Sequence, residues 1–180
     1  MPEKLNFITP TTMKVLEFFF LNNTEEFHER EVVRRVEISK GSGNKILNKL
    51  WELDFLERNR KGRMVFYKLN MKNPVVMQFK ILSNIYSLKN FLDDIRFNCK
   101  KVILFGSCSN GTDTKESDID VFILTDEKSK MKRIVNNFNK ESERKMSPII
   151  MNSNELVELK RKDEPLYERI FKGIVLWERE

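Results

Sequence analysis

The sequence predicts an α/β (α+β) chain in two parts, a small helical unit closed by a hairpin and then a mixed sheet flanked by helices. Three observations carry this. In the N-terminal part apolar residues recur at helical spacing and then alternate around a basic turn. From Lys100 onward, short apolar runs alternate with amphipathic segments. Between two of those runs stands "LFGSCSNGTDTKESDIDVFILTD", where Asp118 and Asp120 open a strand shortly after a Gly-Ser turn. These patterns draw boundaries at 1–72, at 73–98 for a connecting helix, and at 99–180.

A chain of 180 residues makes one medium domain or two small ones. Hydrophobic content of 40% with 14 Phe supplies a core and excludes a disordered chain. No run of about 18 apolar residues exists, which excludes a membrane span. "MPEKLNFITP" lacks the apolar segment of a secretory leader, so a cytoplasmic location is expected. Cys99 and Cys108 are too few for a disulfide framework, and the single His28 is too distant in sequence to complete a zinc site.

Each element of the first part has a local reason. "TPTTMKVLEFFFLNN" opens with Thr-Pro start signals, and Met13, Leu16, Phe19 and Phe20 share one helical face. "HEREVVRRVEIS" gives a second helix with Val32, Val33 and Val36 as its stripe. Ser42 or Asn44 would cap a third, with Ile46, Leu47, Leu50 and Trp51 inward and Lys45 and Lys49 outward. "FLERNRKGRMVFYKLN" reads as two strands around "RKGR".

Three helices followed by a basic hairpin resemble a winged helix-turn-helix module over about Thr11 to Asn70. The net charge of +6 is uneven, because Ser39 to Lys72 holds nine Lys and Arg against Glu52, Asp54 and Glu57. Such an excess fits a phosphate backbone, although it also describes a solvated face. The resemblance implies DNA as partner, with Lys45 and Lys49 on the groove helix and Arg60, Lys61 and Arg63 at the wing tip. Winged helices also dock proteins, and the sequence leaves that alternative open.

"NPVVMQFKILSNIYSLKNFLDDIRFN" is expected to form the connecting helix. Ile81, Ile85, Leu88, Leu92 and Ile95 form one stripe, and Val75, Phe79, Leu82 and Tyr86 a second. A helix apolar on two sides is covered on two sides. Packing within a monomer and pairing in a homodimer both satisfy that.

In the last part, Val102–Phe105, "IDVFILTD", "KMSPIIMN" and "IVLWE" are strands, separated by helical segments. Residues two apart on a strand face one side, so Asp118 and Asp120 present their carboxylates together while Ile119 points to the core. Either an exposed acidic turn or a divalent cation accounts for the pair. Mg²⁺ suits it, being a hard cation that takes carboxylate and phosphate oxygens. Gly106 permits close backbone approach, and Ser107 adds a hydroxyl and N–H groups for phosphate.

Gly106, Ser107, Gly111, Ser117, Asp118 and Asp120 stand in the spacing of the polymerase-beta-type nucleotidyltransferases, especially their minimal branch. The resemblance covers about Lys100 to Trp177, and winged-helix fusions in that family resemble the entire chain. It implies that Gly106, Ser107 and Ser117 contact the phosphates of a nucleoside triphosphate such as ATP. It also implies that Asp118 and Asp120 are catalytic and bind Mg²⁺. The acceptor hydroxyl it implies lies on a protein, an RNA or a small molecule, a partner toxin among them.

The chain departs from the family pattern at two points. Cys108 and Asn110 stand where many members carry loop arginines, with Lys115 the nearest basic residue in sequence. "KMSPIIMN" lacks the third carboxylate of active members, while Asp126 and Glu155 sit at element ends. Two functions therefore stay open: a nucleotidyltransferase, or a DNA-binding regulator whose second part senses nucleotide or docks a partner without turnover. Cys108 reads either as a thiol activated at a helix start or as a tolerated small residue.

Overall fold

The structure, a computed structural model, describes residues 5–179. It divides into two compact units, Met1–Lys80 and Ile81–Glu180.

The first unit begins with helix α1 (Pro10–Leu21). Thr9 caps it by accepting the Thr12 N–H at 3.1 Å, and Pro10 fills the first turn, where a missing N–H costs nothing. Strand β1 (Glu26–His28) leads into α2 (Glu29–Val36), whose cap is the His28 Nδ1 accepting the Arg30 N–H. Helix α3 (Lys40–Glu52) is followed by the hairpin β2 (Leu56–Lys61) and β3 (Met64–Leu69). The sheet runs β1-β3-β2, antiparallel throughout, and the core gathers Leu16, Phe19, Val32, Leu47, Leu50 and Tyr67. Three helices, a short first strand and a two-stranded wing in this pairing make a winged helix-turn-helix.

Three expectations for this unit are corrected. Ser39 caps α3, accepting the Ser42 N–H at 3.1 Å, so the helix starts before Ser42 and Asn44. That places Gly43 on the inner face, where an added Cβ would meet Val33 Cγ2 at 2.3 Å; the glycine lets α2 and α3 approach. Trp51 is 44% exposed rather than inward, with the Arg58 guanidinium 4.8 Å from its ring centroid. Strand β1 was not expected, since three residues show no period; it exists because β3 offers a free edge.

The expected connecting helix is two helices, α4 (Pro74–Ser87) and α5 (Lys89–Ile95). At the break the Leu88 N–H turns back to the Ile85 carbonyl and the Ser87 hydroxyl donates to the Asn84 carbonyl. The bend buries Leu88 and Ile95 with part of Ile85 and Leu92, whereas Val75, Leu82 and Tyr86 of the other stripe stay exposed. Lys80, 1% exposed, donates to the Phe20 carbonyl at 2.9 Å, and this satisfies a cation that burial would otherwise penalise.

The second unit contains β4 (Lys101–Leu104), α6 (Ser107–Asn110), β5 (Ile119–Leu124), α7 (Lys128–Glu141), β6 (Met146–Met151), α8 (Ser153–Lys162), α9 (Glu164–Phe171) and β7 (Ile174–Glu178). Strand order is β6-β5-β4-β7, with β5 and β6 parallel and the other pairs antiparallel, which is the mixed sheet read from the sequence. Strand alternation divides the core. Val102, Leu104, Val121 and Ile123 face α7, while Ile103, Phe105 and Phe122 pack with Leu159 of α8 and Ile170 of α9. Asp120 shares the parity of Phe122, so the second face carries its carboxylate.

Candidate functional site

The site forms where β4 ends and β5 begins. Beyond β4 the Phe105 N–H donates to the Asp120 carbonyl at 3.0 Å, which keeps the two strands in register up to the turn. Gly106 follows with φ +70° and ψ −150°, and an added Cβ would lie 2.3 Å from Asp120 Oδ2. Both the backbone and the space demand glycine here. Its bare Cα lets the Asp120 carboxylate stand against the turn.

Ser107 then starts the single turn of α6, and Gly111 at φ +70° ends it by donating its N–H to the Ser107 carbonyl. The buried Ser109 hydroxyl donates to the Gly106 carbonyl at 2.8 Å, bracing the turn from inside. Ser117 does different work. Its hydroxyl accepts the Thr114 N–H at 2.9 Å and closes the turn in front of Asp118.

Residues that sequence reasoning passed over hold this loop. Arg144, in the connection between α7 and β6, pairs with Asp113 at 3.0 Å, their side chains 13% and 2% exposed. Its guanidinium also donates to the Ser117 carbonyl and to Asn84 Oδ1, both at 3.3 Å, and lies 3.0 Å from Cys108 Sγ. Asn84 donates in turn to the Cys108 carbonyl and to Asp113 Oδ1. Two segments far apart in sequence, at Asn84 and Arg144, thus hold the loop that leads into Asp118. Asp113 was the only local signal, an acid among hydroxyls in the loop.

Electrostatics separates Asp120 from an ordinary surface carboxylate. Burial raises the Asp120 carboxyl above its usual range; the Arg169 charge works against this and the Asp118 charge adds to it. Asp118 is exposed at the strand entrance, and Ile119 between them is 6% exposed. Burial also pushes the Cys108 thiol up, with Arg144 opposing and Asp113 adding. At 1% exposure Cys108 is a packed thiol, and this overturns the activated alternative.

Among the described residues no third acid joins the pair. In the parallel ladder Asp120 stands beside Ser147 and Phe122 beside Ile149. Among the described residues no three of His, Cys, Asp and Glu cluster as a metal cage. Asp126 pairs with Lys100 at 2.7 Å, and Glu155 pairs with Lys128 and closes the capping box of α8. Both have structural duties. The fit to a hard cation therefore rests on two carboxylates beside the half-buried Gly106 turn, a donor set that leaves coordination places for phosphate and water.

On the winged unit, Lys45 and Lys49 are exposed one turn apart on α3, on the side of Thr9 and Thr12. Arg60 and Arg63 are exposed at the hairpin tip, where Gly62 takes φ +61° as a tight hairpin turn asks. Lys61 instead turns back, pairing with Glu26 and lying 5.1 Å from the Phe66 ring centroid. Among the described residues no helix is long and apolar enough to cross a membrane.

Three comparisons bear on the chain. No curated protein matches it. Among solved structures it is similar to NolR from Sinorhizobium fredii, at 16% identity over 49% of this chain and 75% of that one with a TM-score of 0.35. It is also similar to M. tuberculosis Rv0081, at 14% over 48% and 83% with a TM-score of 0.39. Lactococcus lactis ZitR in complex with DNA matches at 19% over 48% and 59%, with a TM-score of 0.38. TM-scores this low do not establish a shared fold, so the winged-helix assignment stands on the element order and strand pairing above. The third comparison is with family models, where "Polymerase beta, Nucleotidyltransferase" matches residues 86–180, just over half of the chain. That span contains the Gly-Ser turn, both aspartates and the whole four-stranded sheet, and the chain belongs to the polymerase beta nucleotidyltransferase family.

Proposed function

We propose that the Ile81–Glu180 unit binds a nucleoside triphosphate, ATP being the expected one, together with Mg²⁺, and transfers its nucleoside monophosphate to an acceptor hydroxyl. The winged helix directs the chain to DNA. One observation carries this reading: Gly106 has no room for a side chain because the Asp120 carboxylate fills it, so turn and carboxylate form one surface.

Asp118 and Asp120 would hold the cation, and Mg²⁺ supplies Lewis-acid stabilisation of phosphoryl oxygens when bound. The Phe105 N–H fixes the Asp120 backbone, and the Arg144 cluster fixes the approach to Asp118. The half-exposed backbone at Gly106 and Ser107 would receive the phosphate tail. Transfer joins the acceptor oxygen to the α-phosphorus and releases pyrophosphate, with the acceptor proton leaving to solvent. The acceptor class spans protein, RNA and small molecules, with a partner toxin as one protein candidate.

A second reading is favoured by Ser147. Beside Asp120 it offers a hydroxyl where a third carboxylate would serve as base, and losing such a base typically costs about 10²–10⁴ in rate. On that reading the unit senses nucleotide for a DNA-bound regulator.

Incubating the protein with α-labelled ATP, Mg²⁺ and lysate separates the two. Label transfer by wild type that disappears in the double variant Asp118→Ala, Asp120→Ala supports transfer. Mg²⁺-dependent ATP binding without transfer supports the sensor, and no binding at all defeats both.

A further inference from the structure

The Gly106–Gly111 turn contains no basic residue, and the phosphate tail it faces is a polyanion set beside two carboxylates. A cation from elsewhere in the fold is needed to balance that charge. Arg144 is nearest the loop but is committed, with its donors on Asp113, Ser117 and Asn84 and its side chain 13% exposed. Lys115 is exposed in the turn ahead of Ser117, and among the described residues no hydrogen bond or ion pair orients it.

Arg169 on α9 differs from both. Its guanidinium carbon lies 5.6 Å from the ring centroid of Phe105, the residue immediately before Gly106. The next residue of α9, Ile170, packs with Phe105 and Phe122 on the sheet face to which Asp120 belongs by strand parity. Arg169 is exposed, and among the described residues it makes no hydrogen bond or ion pair, so its N–H donors are open. Its chain neighbour Glu168 is engaged elsewhere, pairing with Lys172 at 3.1 Å.

Resting on the reading that this unit binds a magnesium-bound nucleoside triphosphate, we propose that Arg169 is its phosphate-binding arginine, delivered from α9 and preoriented by stacking on Phe105. A planar guanidinium held over an aromatic ring loses little freedom on binding and grips phosphate oxygens through two parallel N–H bonds. The ligand part it recognises is the phosphate tail, so it reads charge and leaves the base unread. It also offers a physical reason why this chain does without loop arginines at Cys108 and Asn110.

Calorimetric titration with ATP, inorganic tripolyphosphate and adenosine, each with Mg²⁺, tests this on the full chain. Arg169→Ala is expected to weaken ATP and tripolyphosphate alike by about tenfold to a hundredfold, as loss of a charge-assisted pair of hydrogen bonds does. Adenosine is expected to be unaffected, and Arg169→Lys to restore part of the loss. Mn²⁺ alone should bind Arg169→Ala no more weakly than wild type, because a repelling charge has gone; a purely structural role would weaken cation and anion together. Should Arg169→Ala fold poorly by circular dichroism, Arg169→Gln carries the same comparison. Wild-type affinity for both phosphate ligands in the variant overturns the proposal alone, whereas a wild type that binds neither overturns the nucleotide reading beneath it.

Discussion

Arg144 and Asp113 form an ion pair at 3.0 Å with side chains 13% and 2% exposed, behind the loop that leads to Asp118. Breaking one partner of such a pair leaves a charge without water or counter-ion. Arg144→Met is therefore expected to destabilise the Ile81–Glu180 unit by about 3–5 kcal/mol. Urea unfolding followed by Trp177 fluorescence in a Trp51→Phe background measures it. Replacing both partners by apolar residues should recover most of the loss, and a single variant as stable as wild type would show that the pair is not desolvated.

Gly106→Ala tests whether turn and carboxylate are one surface. The alanine Cβ would stand 2.3 Å from Asp120 Oδ2, and φ +70° is unfavourable for it. Backbone strain of this kind costs about 1–3 kcal/mol, and the carboxylate must also swing away. Mn²⁺ affinity measured by paramagnetic resonance is expected to fall by at least tenfold while far-ultraviolet dichroism is unchanged. Unaltered Mn²⁺ affinity would separate Gly106 from the metal-binding acids.

The raised pKa of Asp120 sets a pH dependence of definite sign. The folded carboxyl holds its proton to higher pH than the unfolded one. Its favourable contribution is complete below the unfolded pKa and is lost as pH rises through the folded value. Without metal, Asp120→Asn should accordingly be more stable than wild type near neutral pH, and the difference should vanish on acidification through the folded pKa. Urea midpoints from about pH 7 to about pH 4 read this out across the carboxylate range. A gap that widens in acid would reverse the sign of the shift.

The sequence made legible what periodicity and spacing encode. Helices α1 to α3, the wing and the mixed sheet follow from stripes of 3.6 and alternations of two, and Asp118 and Asp120 follow from a one-residue gap at a strand start. Contacts between distant segments left no such trace. Arg144 and Asn84 are sixty positions apart, and neither stands in a pattern that names the other. Arg169 sits among ordinary helix residues, and only the sheet brings it over Phe105. The sequence puts the start of α3 at Ser42 or Asn44, whereas Ser39 caps it and Gly43 in its first turn admits Val33. The break at Leu88 was equally hidden, since Ser87 and Leu88 carry no stop signal.

Burial sets the behaviour of both cysteines. Burial pushes the Cys99 thiol up to about 11, with Arg179 opposing, and Cys108 is raised by burial as well. At neutral pH both stay protonated and inert. Ellman's reagent is expected to label neither within the time it labels both in denaturant. Fast labelling of one native thiol, identified by peptide mass, would contradict its packing.

The wing makes a prediction that distinguishes its three cations. Arg60 and Arg63 are exposed at the tip, while Lys61 is engaged with Glu26 and Phe66. If the winged helix binds duplex DNA as proposed, each phosphate contact adds about 0.9 to the slope of log affinity against log salt. The double variant Arg60→Ala, Arg63→Ala should lower that slope by about two, whereas Lys61→Ala should lower it by less than one because its charge is already partly neutralised. Fluorescence anisotropy with a labelled random duplex over a salt series gives all three slopes. Equal losses at the three positions would mean that the Lys61–Glu26 pair opens on DNA, and no loss at any would remove the wing from the interface.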